Sequence, residues 1–369
     1  MNPTIQKKQA DDRLNILRFT ISETNVSILN AIRRTILSDV PTVVFKTSPY
    51  EESKANILVN TTRLNNEILK QRLSCIPIHI TDLDMPLQDY LLEVNEENKT
   101  DTIRYITTED FKIKNIKTDT YLSDESVRAI FPANLMTGYF IDFARLRPNV
   151  SESLPGEKLQ LTCEFSISNV KDDSSFNVVS ICAYGNTVNE ALQEEELEKI
   201  SQKWRDEEMT AETITLKRKD WKLLEGTRLF IPDSFDFMIQ SVGVFTNEDI
   251  IIKACQILIQ KLKDLATVIE SNELNVFPSE NTMQHSFDIV LENEDYTIGK
   301  VLEYLLYTKY YQGDKSLTFC GFTKMHPHDT HSIIRVAYKE TVSVPFILQN
   351  LLVIAGDAVA IYERIRQMF

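Results

Sequence analysis

The residues of this chain best suited to chemistry are the histidines of the run HPHDTH, His326, His328 and His331, with Cys320 six residues before the first of them. Imidazole and thiolate are zinc ligands, and on an extended strand His326 and His328 share one face. A zinc-dependent hydrolase using Cys320, His326 and His328 is therefore one reading. Against it, no carboxylate is spaced as the general base of an H-E-x-x-H helix, and His331 falls on the opposite face of a continued strand. The plainer reading is a polar turn between the runs SLTFCGF and HSIIRVAY. Paired carboxylates, such as Asp82 with Asp84 or Glu292 with Glu294 and Asp295, do acid–base work only where burial perturbs one of them. In an acidic chain most such pairs are solvated surface.

Two arginines are more unusual. Arg33 and Arg34 lie inside the otherwise apolar stretch SILNAIRRTIL, and a guanidinium there must find a carboxylate, a carbonyl or a partner surface. Local salt bridges to Glu23 or Asp39 and docking of a partner are both open from these residues alone.

Composition removes several classes. Forty Lys and Arg against fifty-four Asp and Glu leave a net charge of −14 over 369 residues, which disfavours free binding to a phosphate backbone. The nine glycines are never closer than eight residues, so a phosphate-binding loop, a dinucleotide fingerprint and a nucleophile elbow cannot be written on the chain. No D-x-D-x-D run offers two magnesium ions a home. The five cysteines are never nearer than nineteen residues, unlike zinc ribbons or redox pairs, and fit a reducing compartment. The start MNPTIQKKQADDR lacks a signal-peptide core, and the expectation is a soluble, intracellular protein with no membrane segment.

The elements that must position these residues follow from periodicity. LNILRFT at 14–20 reads as a strand, and Thr24 opens a helix with Val26, Leu29, Ile32 and Ile36 on one face, stopping before Pro41. From about 42 to 235 short β-like runs alternate with polar turns, interrupted at 188–209 by an acidic stretch with helical spacing that reads as a solvated helix. Thr246 and Asp249 stand as in a capping box before a long helix. Its residues Ile251, Cys255, Leu258, Leu262, Leu265 and Ile269 keep a 4, 3, 4, 3, 4 spacing, and Ile347, Leu351, Ile354, Ala358, Ile361, Ile365 and Met368 repeat it. Two matched seams in one chain suggest helices packed lengthwise on each other.

The chain also repeats itself at an offset of 270: LNILRFT with NVSILNAIRRTIL answers SFDIVL with DYTIGKVLEYLLY, each completed by a seam helix. The expected fold is α+β, with two related half-units packed through long C-terminal helices. A first dimerisation unit at 1–47 and 233–272 is interrupted by a β-rich insertion at 48–232, and a linker at 273–283 leads to a second, compact unit at 284–369. Neither half is expected to be stable alone.

Residues 28–43, ILNAIRRTILSDVPTV, resemble the N-terminal signature of the alpha-like subunits of multisubunit DNA-dependent RNA polymerases, where N-x-x-R-R precedes a helix end and a V/I-P-T turn. NTTRLNNEILKQRLSCIPI at 60–78 resembles a second block of that family, carried by Asn60, Thr61, Leu64, Glu67, Arg72, Leu73, Ile76 and Pro77, with Asn66 and Ser74 departing from the usual acid and glycine. LPGEKLQLTCEF and SVGVFTNEDIIIKACQIL align in order with later parts of the third-largest subunit of eukaryotic polymerase II. The C-terminal unit resembles the eleventh subunit that pairs with it: Glu292, Glu294, Asp295, Thr297, Ile298 and Gly299 carry an E-x-E-D-H-T-L-G-N motif in which Tyr296 and Lys300 depart, and His326 with Pro327 carries its H-P dipeptide. The resemblance covers most of the chain except about 185–225, and fusion of the two subunits is similar to the arrangement in some large DNA viruses.

What the resemblance implies is a non-catalytic platform that pairs its two alpha-like halves within one molecule and docks the two large catalytic subunits, with small adaptor subunits as further partners and DNA met only through the complex. It puts Asn30, Arg33, Arg34, Thr35, Pro41, Thr42, Leu64, Glu67, Arg72, Leu73 and Pro77 at the face meeting the large subunits. It puts Glu294, Asp295, Thr297 and Gly299, with the two seams, at the internal interface. Reversing both charges, Arg33→Glu with Arg34→Glu, is expected to leave the fold intact and abolish co-purification of the large subunits. Cellular members often hold zinc or an iron–sulfur cluster on cysteines of the insertion; residues 80–120 have none, and no metal, cofactor or small-molecule substrate is expected. A viral source would place the protein in the virion or a cytoplasmic viral factory. A signalling adaptor outside any polymerase is the remaining alternative.

Overall fold

The computed structural model describes residues 1–151 and 153–369. Its helices are α1 (Val26–Ser38), α2 (Asn66–Ser74), α3 (Asp124–Ile130), α4 (Glu190–Asp206), α5 (Ala211–Leu223), α6 (Asn247–Glu270), α7 (Tyr296–Leu306) and α8 (Val344–Arg366).

The strand Ile16–Ser22 buries Leu17, Phe19 and Ile21 at alternate positions, the period-two pattern of a half-covered sheet. It sits in a four-stranded antiparallel sheet ordered Thr4–Asp11, Ile16–Ser22, Phe230–Ser241, Val179–Val188. A second four-stranded antiparallel sheet is ordered Val276–Pro278, Ser286–Glu292, His331–Tyr338, Leu317–Thr323. The two share one topology. In each, the second strand in sequence leads into a short helix, α1 or α7, and the last leads to a long one, α6 or α8.

The repeat holds residue by residue in the backbone. Ile16–Ser22 and Ser286–Glu292, the left-handed Asn15 and His285, the left-handed Glu23 and Asn293, and the starts of α1 and α7 are each 270 apart. Both helices open on the same cap: Asn25 Oδ1 accepts the Ser27 N–H at 2.9 Å, and Asp295 Oδ1 accepts that of Thr297 at 2.8 Å.

Helices α1, α6, α7 and α8 close over both sheets in one continuous apolar core. Along the seam, α6 and α8 lie against each other, with Leu258, Leu262, Leu351 and Ala358 fully shielded from water. Burying a side chain of this kind contributes about 1.5–3 kcal/mol. Tyr362 of α8 is fully buried and its hydroxyl donates to the Ile28 carbonyl of α1. By length and composition α8 could cross a membrane, but here its apolar side is the packed face of the seam.

A second core lies under a five-stranded antiparallel sheet ordered Ala55–Asn60, Lys158–Glu164, Tyr90–Glu97, Lys112–Asn115, Thr120–Tyr121. This sets the change of core elsewhere than the sequence suggested. Val43 and Phe45 already belong to the second core, whereas Val178, Val179 and Cys182 return to the first. Strand Val179–Val188 thus belongs with the first sheet and not with an insertion running to 232. Alternation told that it was a strand; only cross-strand pairing decides which sheet receives it.

Other expectations shift locally. Val26 opens α1 on the solvent side, and Asn25, one residue beyond Thr24, is the cap. The acidic helix is α4, and the sequence reading missed its antiparallel mate α5. Arg218 and Lys222 of α5 reach Glu194 and Glu198 of α4. Thr246 caps α6 by accepting the Asp249 N–H, while the Asp249 carboxylate takes the Thr246 hydroxyl and not its N–H. Met368 lies past the end of α8.

Candidate functional site

The densest polar site lies where α1, α6, the start of α7 and a turn at Lys171 meet. Asp39, just past α1, accepts from the Ser38 hydroxyl at 2.5 Å, Lys171 Nζ at 3.0 Å and Lys261 Nζ at 2.9 Å. Lys261, on the rim of the α6 seam, also faces Glu294 at 3.9 Å. Alongside, Arg34 reaches from α1 to the first turn of α7: its Nε donates to Thr297 Oγ1 at 2.8 Å and an Nη to Asp295 Oδ2 at 2.6 Å. Charge-assisted bonds thus join the two 270-related helices.

Burial shapes these charges. It pushes the Asp39 carboxyl up, but Ser38, Lys261 and Lys171 outweigh it and hold the group below the usual aspartate range. Burial would likewise depress Lys261, and Glu294, Asp39 and Asp295 raise it instead. For Glu294 burial wins over the partial relief from Lys261, so its carboxyl is raised. Asp295, lifted by burial, is brought below its ordinary value by the Thr297 hydroxyl and N–H and by Arg34. Asp39 and Asp295 are tied to cations or to a helix terminus, and Glu294 faces Lys261. The arrangement is an ionic latch between helices.

Arg34 therefore finds neither Glu23 nor Asp39, and it does not present its guanidinium to a partner alone. Reversing both arginines would set a carboxylate against Asp295, which corrects the expectation that the double change leaves the structure undisturbed. Arg33 is half-buried, and its Nε donates to Asn30 on the same helix. Of the other residues assigned to a docking face, Thr35, Thr42 and Leu73 are buried. Pro41, Leu64 and Pro77 are half-buried, and Glu67 is exposed. Arg72 is exposed but occupied: its Nε and an Nη donate to the backbone carbonyls of Phe143 and Asp142 at 2.7 and 2.6 Å, which ties α2 to the strand Asp142–Leu146.

At the internal interface, Ile251, Cys255, Leu258, Leu262, Ile269, Ile347, Leu351, Ile354, Ile361 and Ile365 are all buried in the first core, and Leu265 packs on its margin. Gly299 is required by close approach: a Cβ there would lie 2.0 Å from the Phe322 ring. The departures from the family pattern are accommodated. Tyr296 packs edge-on against Phe322, Lys300 pairs with Glu303, Ser74 donates to the Gln71 carbonyl, and Asn66 accepts from Asn60.

The zinc arrangement does not form. His326 and His328 sit in the turn between Leu317–Thr323 and His331–Tyr338, where His326 Nδ1 accepts the His328 N–H and Asp329 accepts the His326 N–H. Cys320 faces inward, its thiol on the Glu303 carbonyl and pushed by burial up to about 12, so it is no thiolate at neutral pH. Among the described residues no group of three or more potential ligands converges.

The sequence reading missed Lys171 and Lys261. Lys261 leaves a signal, a lone cation beside Leu262 on an apolar seam; Lys171, in a polar turn, leaves none.

Two strand–helix units closed over each other by paired helices and an ionic latch define a protein whose architecture is one of pairing. The profile of the RNA polymerase Rpb3/Rpb11 dimerisation domain matches residues 18–262, and the chain belongs to that family. It is similar to the DNA-directed RNA polymerase subunit Rpo3 of Picrophilus torridus, 26% identical over 183 residues that cover 46% of this chain and 59% of that protein. It is also similar to subunit 3B of the DNA-directed RNA polymerases IV and V of Arabidopsis thaliana, 37% identical over 76 residues, 21% of each chain. The RPB3 subunit of polymerase II from Schizosaccharomyces pombe is 31% identical over 72 residues, 20% of this chain and 22% of that one. The matched stretches span less than two thirds of each of these relatives.

Proposed function

We propose that this chain is a non-catalytic assembly platform of a DNA-directed RNA polymerase, in which two alpha-like halves joined in one polypeptide pair with each other and dock the two large catalytic subunits. The observation that carries it is the 270-residue backbone repeat, whose two copies share a single core. In a family named for dimerisation, a second copy of the unit within the same chain is the natural mate of the first. Joining the halves raises their effective concentration to about the millimolar range for a short connection and fixes the ratio at one to one. The units divide at the change of core, with the first interrupted by the β-rich insertion. Fusion of this kind fits a large DNA virus, and with it a virion or viral-factory location.

Docking falls to the α1 flank that carries Asn30, Arg33 and Pro41, together with Leu64, Glu67 and Pro77 of the insertion. Arg33 is the cleanest probe because its bond is within its own helix. Arg33→Glu is expected to lower the unfolding midpoint by only a few °C, since the half-buried guanidinium bonds only to Asn30 of its own helix, while abolishing co-purification of two very large subunits and template-dependent RNA synthesis from tagged protein. Normal assembly by this variant, or a wild-type partner set without polymerase subunits, refutes the platform.

A further inference from the structure

The insertion carries a groove of about 470 Å³ lined by four arginines, Arg63, Arg72, Arg145 and Arg147, in a chain of net charge −14. Its acidic lining is Asp142 and Glu157, and Glu157 is buried and held by Arg147 through both a side-chain and a backbone bond. Among the described residues the side chains of Arg63 and Arg145 bond to nothing, and both residues are exposed. Beside the cations stand apolar side chains open to water: Ile103 is 51% and Tyr105 53% exposed, and Tyr105 lies directly across from Arg145 on the paired strands Arg104–Thr107 and Asp142–Leu146. The chain entering the second of these strands exposes Leu135, Met136 and Tyr139 as well. Exposed apolar side chains lining a groove beside unpaired charge, as Ile103 and Tyr105 do here, mark a binding surface.

We infer that this groove receives a short acidic peptide segment of a partner, its carboxylates on Arg63 and Arg145 and its aromatic or aliphatic side chains on Ile103 and Tyr105. Planar guanidiniums match carboxylates with two parallel bonds. Phosphate would satisfy the same forks, but a long nucleic acid meets the repulsion of the whole molecule and leaves the apolar wall unused. A short segment feels chiefly the charges within a screening length of about 8 Å, and the groove's own lining sets four arginines against two acids. The inference rests on the docking role proposed above for the surface that includes Leu64, and adds the chemistry of what is received.

Fluorescence anisotropy with the full chain tests it. The probe is a labelled ten-residue peptide alternating Glu with Phe and Leu, set beside its Gln isostere and a ten-nucleotide oligouridylate. The acidic peptide is expected to bind saturably, at least tenfold tighter than either competitor, and to weaken at least tenfold when salt rises from about 50 to 300 mM or when Arg63→Glu and Arg145→Glu are combined. Arg63→Gln alone, with an unchanged melting curve, is expected to weaken it about threefold. Equal binding of the isostere, tighter binding of oligouridylate, or no saturation below millimolar peptide overturns the inference. Because the isolated chain is read, that failure leaves the co-purification result standing, and the reverse holds too.

Discussion

Lys261→Met removes the cation at the centre of the latch while keeping most of its aliphatic stem. Lys261 Nζ stands 2.9 Å from Asp39 and 3.9 Å from Glu294. At an effective dielectric of about 20 the first contact corresponds to roughly 6 kcal/mol of gross attraction, most of it offset by taking the charges out of water. Lys171 remains on Asp39, so the net loss is less than the 3–5 kcal/mol of orphaning a buried charge, about 2 kcal/mol. The pH dependence separates charge from packing. The Asp39 carboxyl, lifted by burial and brought below its ordinary value by Ser38 and the lysines, contributes stability that is present above its unfolded value near pH 4 and lost as pH falls through the folded one. Glu294, raised by burial, acts in the opposite sense: it favours the fold at low pH, and that contribution is lost as pH rises through its folded value. Lys261 relieves both acids at neutral pH, so its removal costs most there. Urea unfolding at pH 7.5 and pH 2.5 is expected to show a loss of about 2 kcal/mol at the first and less than half of it at the second, as Glu294 and then Asp39 take up protons. An equal loss at both pH values would show that the stem, not the charge, matters and would refute the latch.

Two further substitutions probe the interior. Gly299→Ala drives a methyl group into the Phe322 ring and is expected to cost about 1–3 kcal/mol by overpacking; an unchanged thermal midpoint would mean that strand Leu317–Thr323 yields freely. Thr35 is fully buried, and its hydroxyl has no partner among the described residues. Thr35→Val is therefore expected to raise stability by about 1 kcal/mol, since an unmade buried hydrogen bond is costly. A lower midpoint would show that the hydroxyl is bonded after all.

Periodicity alone determined much of this protein. The 4, 3, 4, 3 spacing of α6 and α8 placed all but Leu265 and Met368 of their seam residues in the core, because a helix can bury only one stripe. The 270-residue offset, read from loosely similar letters, is a repeat of caps and left-handed residues in the backbone. Local rules act within a few residues, so one chain can display them. What only the tertiary structure decided is whatever depends on distant segments meeting. Strand Val179–Val188 joins the first sheet through pairings with Phe230–Ser241. Arg34 chooses Asp295, 261 residues away, over the nearby Asp39; Asp39 in turn is claimed by Lys171 and Lys261. The alternate arginines of ARLRP, Arg145 and Arg147, gain a groove only when Arg63 and Arg72 are folded beside them. Pairing of charges and strands is set by packing across the whole chain, and an ion pair's worth depends on a burial that no stretch of letters displays.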